Sequence, residues 1–450
     1  MDSIKQYTDL YRQNPEAFAA GADALDALKA DALVALDGFA AAKAPKAPYK
    51  ECSDEALLAP DYGLNLTRLT FAVDLAAAFR CDVPNISTLL GVTVNDIFRP
   101  TEPLLRQLPE GVAVCSLAEA ARSRPALVEP FLNKLARNSS PAAALNTLLL
   151  QDGVLVHIAA GVHLDRPVQL VNIFNSDVPL LAARRLLVVA DEGASARILV
   201  CAHTKNHATD YLSDEVIEIF QAPDSKLELY FIEESGERTN RIGNVFARQE
   251  SGSSLSVSST VLGGGVDTTH WHVDVTGDGA ETHLGGLVVA DGRQIVATTV
   301  RLRHSSRNSS SRQLFKYALF GEARGAFGGK IIVDEGAAGT DAAQTNRNLL
   351  ASDDSRMSTA PQLEIYCDDV KCSHGATTGQ LDANALFYMR SRGIPLQEAR
   401  LMLTQAFMTD VIDGISYELI RDRLRHLVEK RLSGERASCA SCGIEKSCKR

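Results

Sequence analysis

The sequence predicts a mainly β fold, a parallel β-helix (β-solenoid) held between helical regions at its two ends. Three observations carry that prediction. From Asp152 to about Gly379, short β-branched runs alternate with Gly, Asp and Ser turns, and helical periodicity is absent. The turns repeat one shape, a polar turn followed by a small residue and an alternating strand. On both sides of this stretch, apolar residues return to helical spacing.

Residues 1–150 are Ala/Leu-rich and helical in period. Within them, 15–43 reads as one or two amphipathic helices and 117–150 as more, with a Pro-rich polar loop over 44–68. Asp152-Gly153 is a turn signal that opens the β region, 151–380. Strand-like runs then follow at 154–158, 185–189, 197–200, 216–220, 227–232 and 331–333. The turns beginning at Glu192, Pro223, Glu250 and Gly277 recur about every 26–31 residues, and similar words at Arg324 and Lys371 follow at wider, roughly doubled spacing. Such loose periods point to stacked coils whose terminal strands need caps, which the flanking helices could supply. An antiparallel sandwich is the competing architecture that periodicity leaves open. Helical texture returns over 381–434 as three helices, at 384–392, from Pro395 to a stop at Gly414, and over 417–432. The last carries a charged face through Arg421, Arg423, Arg425, Glu429, Lys430 and Arg431, read as solvated, with a partner surface as the alternative. Residues 435–450 form a Cys-containing tail.

The 450 residues carry a net charge of −10, which argues against a general nucleic-acid-binding face. The first residues lack the basic start and apolar core of a signal peptide, and no apolar run is long enough to span a membrane. Nine cysteines, an odd and scattered set, do not resemble a secreted disulfide framework. The expectation is a cytoplasmic protein with reduced thiols.

Several motifs fail as catalytic signatures. Arg324-Gly-Ala-Phe-Gly-Gly-Lys330 has a misplaced first glycine, and Ile331 stands where a phosphate loop needs Ser or Thr. No nucleophile elbow or HExxH helix is present. His270 and His272 would share one strand face and could meet a metal, although two histidines flanking the only Trp is the simpler reading. Cys372 and His374 form a second i, i+2 pair, and thiolate with imidazole suits zinc, iron or an iron–sulfur cluster. Lys371 beside them would favour the thiolate. Two ligands are too few for a closed site, so others must come from elsewhere or from another chain. Cys439, Cys442 and Cys448 in the tail are weaker metal candidates, since that segment has few apolar residues to fix them.

The words Leu314-Phe-Lys-Tyr, Gly325-Ala-Phe-Gly-Gly-Lys-Ile, Thr340-Asp-Ala-Ala-Gln-Thr-Asn-Arg-Asn-Leu-Leu, Pro361-Gln-Leu-Glu-Ile-Tyr, Asp368-Asp-Val-Lys-Cys-Ser-His-Gly-Ala-Thr and Leu386-Phe-Tyr-Met-Arg-Ser-Arg-Gly-Ile closely resemble the SufB/SufD family of iron–sulfur cluster assembly subunits, with wording nearer the SufD branch. The resemblance covers nearly a quarter of the chain, and the Cys439/Cys442/Cys448 tail departs from it. It implies a right-handed parallel β-helix and a cytoplasmic complex with SufB and SufC. In that complex SufC is the ATPase and docks on the C-terminal helices, while SufB pairs through the β-helix. The resemblance further implies that Cys372 and His374 ligate iron or a nascent iron–sulfur cluster transiently and jointly with SufB. This chain would then be a non-catalytic scaffold that binds no nucleotide, with a homodimer possible when it is isolated. A β-helical carbohydrate-active enzyme is the remote alternative, disfavoured by the single Trp and the lack of a carboxylate cluster.

Overall fold

Stacked parallel strands form about eight coils of a solenoid in the computed structural model, which describes residues 2–42, 46–69 and 88–434. Among the described residues, four strands precede residue 150: β1 (Gly63–Leu64), β2 (Leu89–Val94), β3 (Ile97–Pro100) and β4 (Val112–Ser116). The coils proper hold β5 (Val154–Ile158), β6 (Val168–Phe174), β7 (Leu180–Ala190), β8 (Ser195–Thr204), β9 (Tyr211–Gln221), β10 (Lys226–Glu233), β11 (Thr239–Gln249) and β12 (Ser254–Val261). They continue through β13 (Val266–Val275), β14 (Glu281–Ala290), β15 (Ile295–His304), β16 (Ser310–Leu319), β17 (Arg324–Val333), β18 (Thr340–Leu350), β19 (Arg356–Ile365) and β20 (Val370–Gly379). From β5 onward successive strands alternate between two sheets, odd numbers in one and even in the other. Their lumen-facing residues make one apolar core, including Val168, Ile198, Leu229, Val257 and Trp271.

The repeating turn has a physical basis. Ser195 pairs with Lys226, Lys226 with Ser254, Ser254 with Glu281, Glu281 with Ser310 and Ser310 with Asp341, steps of 31, 28, 27, 29 and 31 residues. Two residues before each stands a left-handed backbone position, filled by Gly193, Asp224, Gly252, Gly279, Asn308 and Gly339. Those residue types tolerate positive φ, so each coil turns at the same point. The word at Arg324 belongs to the other sheet, and the coils opening at Ser310 and Asp341 are the ones the sequence period skipped.

Helices sheathe the outer faces. At the N-terminal end lie α1 (Asp2–Gln13), α2 (Asp23–Asp26), α3 (Leu28–Ala41), α4 (Asp54–Leu58), α5 (Glu102–Gln107), α6 (Leu117–Ser123) and α7 (Pro141–Leu149). Ile4, Leu36, Leu58, Leu145 and Leu148 pack with Leu181, Leu212 and Ile242 from the outer face of the odd sheet. At the other end are α8 (Ala383–Ser391), α9 (Leu396–Asp413) and α10 (Glu418–Leu432). Met408, Val411, Ile420 and Leu424 cover Leu199, Tyr230 and Leu287 on the outer face of the even sheet. Both faces of β7 and β9 are therefore buried, which is why those strands read as near-continuous apolar runs.

The first 150 residues are not uniformly helical, because β2 and β4 each join a sheet. Their runs are short and sit between helices, which hid them. Within 44–68, α4 interrupts the expected loop. On α10 the expected charged face is broken, since Arg423 is buried. No helix among the described residues is long and apolar enough to cross a membrane.

Candidate functional site

β20 pairs with β18 and forms the end of the even sheet, as β19 forms the end of the odd one. Alternate side chains of a strand face opposite ways. In register, Cys372 follows Ala342 and His374 follows Gln344, and both of these are buried lumen residues. Cys372 and His374 therefore share the lumen-facing side of the last strand. His374 is exposed and Cys372 half-buried because no further coil covers them among the described residues.

The lumen changes character as it approaches this pair. The column leading to His374 runs Val168, Ile198, Leu229, Val257 and Leu284, then Gln313 and Gln344. The column leading to Cys372 runs Leu227, Leu255, Thr282, Ser311 and Ala342. Gln344 Nε2 donates to Gln313 Oε1 at 2.8 Å, while Gln344 Oε1 is buried without a partner. Asn346 and Asn348 exchange hydrogen bonds of 3.0 and 2.7 Å on the same strand, and Thr359 of β19 donates to Asn346. An apolar bore thus opens into a polar mouth.

Cys372 rests on an apolar ledge of Ile331, Val333, Ala337 and Ala342, shared with a second thiol, Cys367. Burial pushes the Cys372 thiol up, the Ala342 backbone N–H opposes this, and Asp341 adds to the rise. Lys371 points to the other side of the strand and does not activate the thiol. It joins Arg312, the main cause, in holding the Asp341 carboxyl down. The thiolate that a metal needs would therefore have to be drawn out by the metal itself or by a neighbouring cation.

The other candidates separate from this mouth. His270 and His272 do share a face, but it is the outer face of β13, with Trp271 turned into the lumen against Phe231. His270 Nδ1 lies 2.6 Å from Thr299 Oγ1, and His272 stacks flat on Phe246 at 4.9 Å. Burial pushes the His272 imidazole down to about 4 and lowers His270 as well. Among the described residues, no three or more His, Cys, Asp or Glu side chains are placed to hold a metal. The pair at 372 and 374 is thus incomplete within them. Cys439, Cys442 and Cys448 lie outside the described residues. The glycine-rich word at 324–330 is strand β17, not a loop. At Gly329 a Cβ would fall 2.3 Å from the Gln344 amide, so a larger residue there would have to displace that side chain.

Sequence reasoning missed Gln344 and Cys367. Gln344 looked like an ordinary polar strand residue, and only the register places it next to His374. Cys367 lies between two strands, and no spacing linked it to Cys372.

The family model described as the SufBD core domain of SUF-system FeS cluster assembly matches residues 173–407, and the SufBD N-terminal region model matches 1–170. The chain belongs to the SufB/SufD family. An iron–sulfur cluster assembly SufBD family protein of Synechocystis is 28% identical over 80% of this chain and 81% of its own length. The iron–sulfur cluster assembly protein SufD of Escherichia coli is 36% identical over 39% of this chain, an alignment spanning 42% of that relative. A SufBD family protein of Mycobacterium tuberculosis is 31% identical over 46% of this chain and 54% of its own length. The core match takes in the solenoid from the end of β6 onward and most of α9, so the open mouth with Cys372 and His374 lies inside the family's shared part.

Proposed function

We propose that this chain is a non-catalytic, SufD-type scaffold of cytoplasmic iron–sulfur cluster assembly, working in a complex with SufB and SufC. The single observation that carries this reading is the incomplete Cys372/His374 pair on the uncovered last strand. Two ligands of the right kind stand at an edge where another β-helix could add both strands and ligands. SufB would pair there, and iron or a nascent cluster would be held as cargo by Cys372 thiolate, neutral His374 and groups from SufB. A cation or metal arriving with SufB would offset the burial that raises the Cys372 thiol. SufC would dock on the C-terminal helices. In support, α8 buries none of its residues and leaves Phe387 and Tyr388 exposed. In isolation, two copies could pair through the same edges as a homodimer.

The test is reconstitution with SufB, SufC, iron and sulfide, comparing wild type with Cys372→Ala and His374→Ala. The proposal expects assembled cluster to fall at least several-fold in each variant while the complex still forms. Undiminished assembly in both would remove the pair from the mechanism. A purely structural role for this subunit is the second reading, favoured by the raised Cys372 thiol. Iron content of the co-purified complex separates the two, since a structural partner would give equal iron in wild type and variants.

A further inference from the structure

The lumen column that leads to His374 ends in a half-made amide ladder. Gln313 and Gln344 are 3% and 1% exposed and stack in register on β16 and β18. Their one mutual bond, from Gln344 Nε2 to Gln313 Oε1 at 2.8 Å, leaves Gln313 Nε2 and Gln344 Oε1 unpartnered. Turning both amides over gives the same count, one bond between them and one free atom on each. Turning over only one would set two donors or two acceptors face to face. No orientation satisfies the pair, and a buried amide atom left unmade is costly.

The free end of Gln344 has a direction. In an amide the N–H trans to the carbonyl points opposite to it, which lets stacked Gln side chains run head to tail along a sheet. With Nε2 turned back to the coil of Gln313, Gln344 Oε1 is turned toward the next coil. Room for the amide comes from β17, where it lies against Gly329, whose missing Cβ would fall 2.3 Å from both its nitrogen and its oxygen. Two residues of the next coil stack on these positions, Pro361 on Gly329 and His374 on Gln344. Proline has no N–H to give, whereas a neutral imidazole has one. Adjacent strands stand about 4.8 Å apart, the same step that Gln344 already bridges to reach Gln313.

We infer that Gln344 is the positioning residue for His374: its carbonyl oxygen accepts the imidazole N–H, so that the other ring nitrogen stays bare and faces out of the mouth toward a metal. A ligating imidazole needs such an acceptor to fix its tautomer and its ring orientation. Gln344 itself does not touch the metal. The inference rests on the cargo role proposed for His374 and supplies what holds that residue ready.

The test is NMR of the full chain carrying isotope-labelled histidine, at about pH 8.5, where free imidazole is neutral. The His374 signals are assigned by their loss in His374→Gln. Wild type is expected to hold His374 in one tautomer, and Gln344→Leu to shift the tautomer ratio by roughly fivefold or more. Gln344→Met, of nearly the same length without the amide, repeats the comparison if the leucine variant unfolds. Gln344→Glu keeps an acceptor in place, with Gln313 able to turn its amide over to bond it, and should retain the wild-type tautomer. In reconstitution with SufB, SufC, iron and sulfide, Gln344→Leu should lower assembled cluster several-fold and Gln344→Glu should restore it. A tautomer unchanged in Gln344→Leu overturns the inference. So does the opposite tautomer in Gln344→Glu, since the wild-type amide would then be donating to the ring. If His374→Ala assembles cluster normally, the cargo reading fails whatever the tautomer. If His374→Ala loses assembly while Gln344→Leu keeps both tautomer and assembly, only the role of Gln344 fails.

Discussion

The two ends of the solenoid are finished in opposite ways. At the N-terminal end β3 folds back antiparallel on β2, β4 runs antiparallel to β5, and Phe98 and Leu104 plug the core. At the other end β19 and β20 are ten-residue edge strands with little cover. Natural sheets protect such edges with charge, proline, bulges or a covering element. β19 carries Pro361, which edge strands tolerate, but β20 has no proline and one charged residue, Lys371. The difference teaches that one end of the solenoid is closed by the chain's own residues while the other leaves edge strands open, and on the function proposed above the open end is where a second sheet would add.

The contrast can be broken most strongly at the plugged end. Leu104 is fully buried there, and Leu104→Ala should cost about 2–5 kcal/mol by loss of transfer energy and cavity formation. Leu363→Ala on half-buried β19 should cost clearly less in the isolated subunit, yet weaken pairing with SufB. Urea titration of both variants checks the first part, and equal losses would mean that the ends do not differ as described.

The polar half of the lumen should make stability pH-dependent. His304 is fully buried, with its ring nitrogens 2.8 and 2.9 Å from Ser309 and Ser311 hydroxyls, and burial pushes it down to about 4. A depressed pKa means that the unfolded chain takes up a proton, between about pH 6.5 and 4, which the folded chain refuses. Stability is therefore intact above about 6.5 and falls as pH drops toward 4, by at most about 3 kcal/mol from this group. His304→Gln should flatten that slope between pH 7 and 5. It should not abolish it, because His272 titrates with the same sign.

The smallest effects on stability should come from the open mouth itself. Cys372→Ala and His374→Ala should shift the unfolding free energy of the isolated subunit by about 0.5 kcal/mol or less, since neither side chain is fully packed. A thermal melt measures this directly. A large loss in either variant would mean that the residues serve the fold and not the cargo.

What was legible in the sequence followed from where the chain has no freedom. The turns at Glu192, Pro223, Glu250 and Gly277 stood out because a left-handed position tolerates few residue types, while the turn at Asn308 escaped notice with Asn in the same role. Val154–Ile158 was readable to the residue because it is short, apolar and bounded by turns. β2 and β4 were not, since short runs among helices carry no period of their own. At the site, the i, i+2 spacing placed Cys372 and His374 on one face, but nothing local could say that this face is the lumen or that the coil is the last. The Lys371 expectation failed for a related reason, because adjacency along a strand puts side chains on opposite faces.

Hydrogen–deuterium exchange on the chain alone and bound to SufB tests the central claim most directly, because it reads the backbone amides of 370–379 themselves. The account predicts that the alternate amides of 370–379 that do not bond to β18 exchange fast in the isolated monomer and become protected in the complex, while those of 89–100 at the plugged end change little. A stable complex in which those outward-facing amides still exchange freely would contradict it.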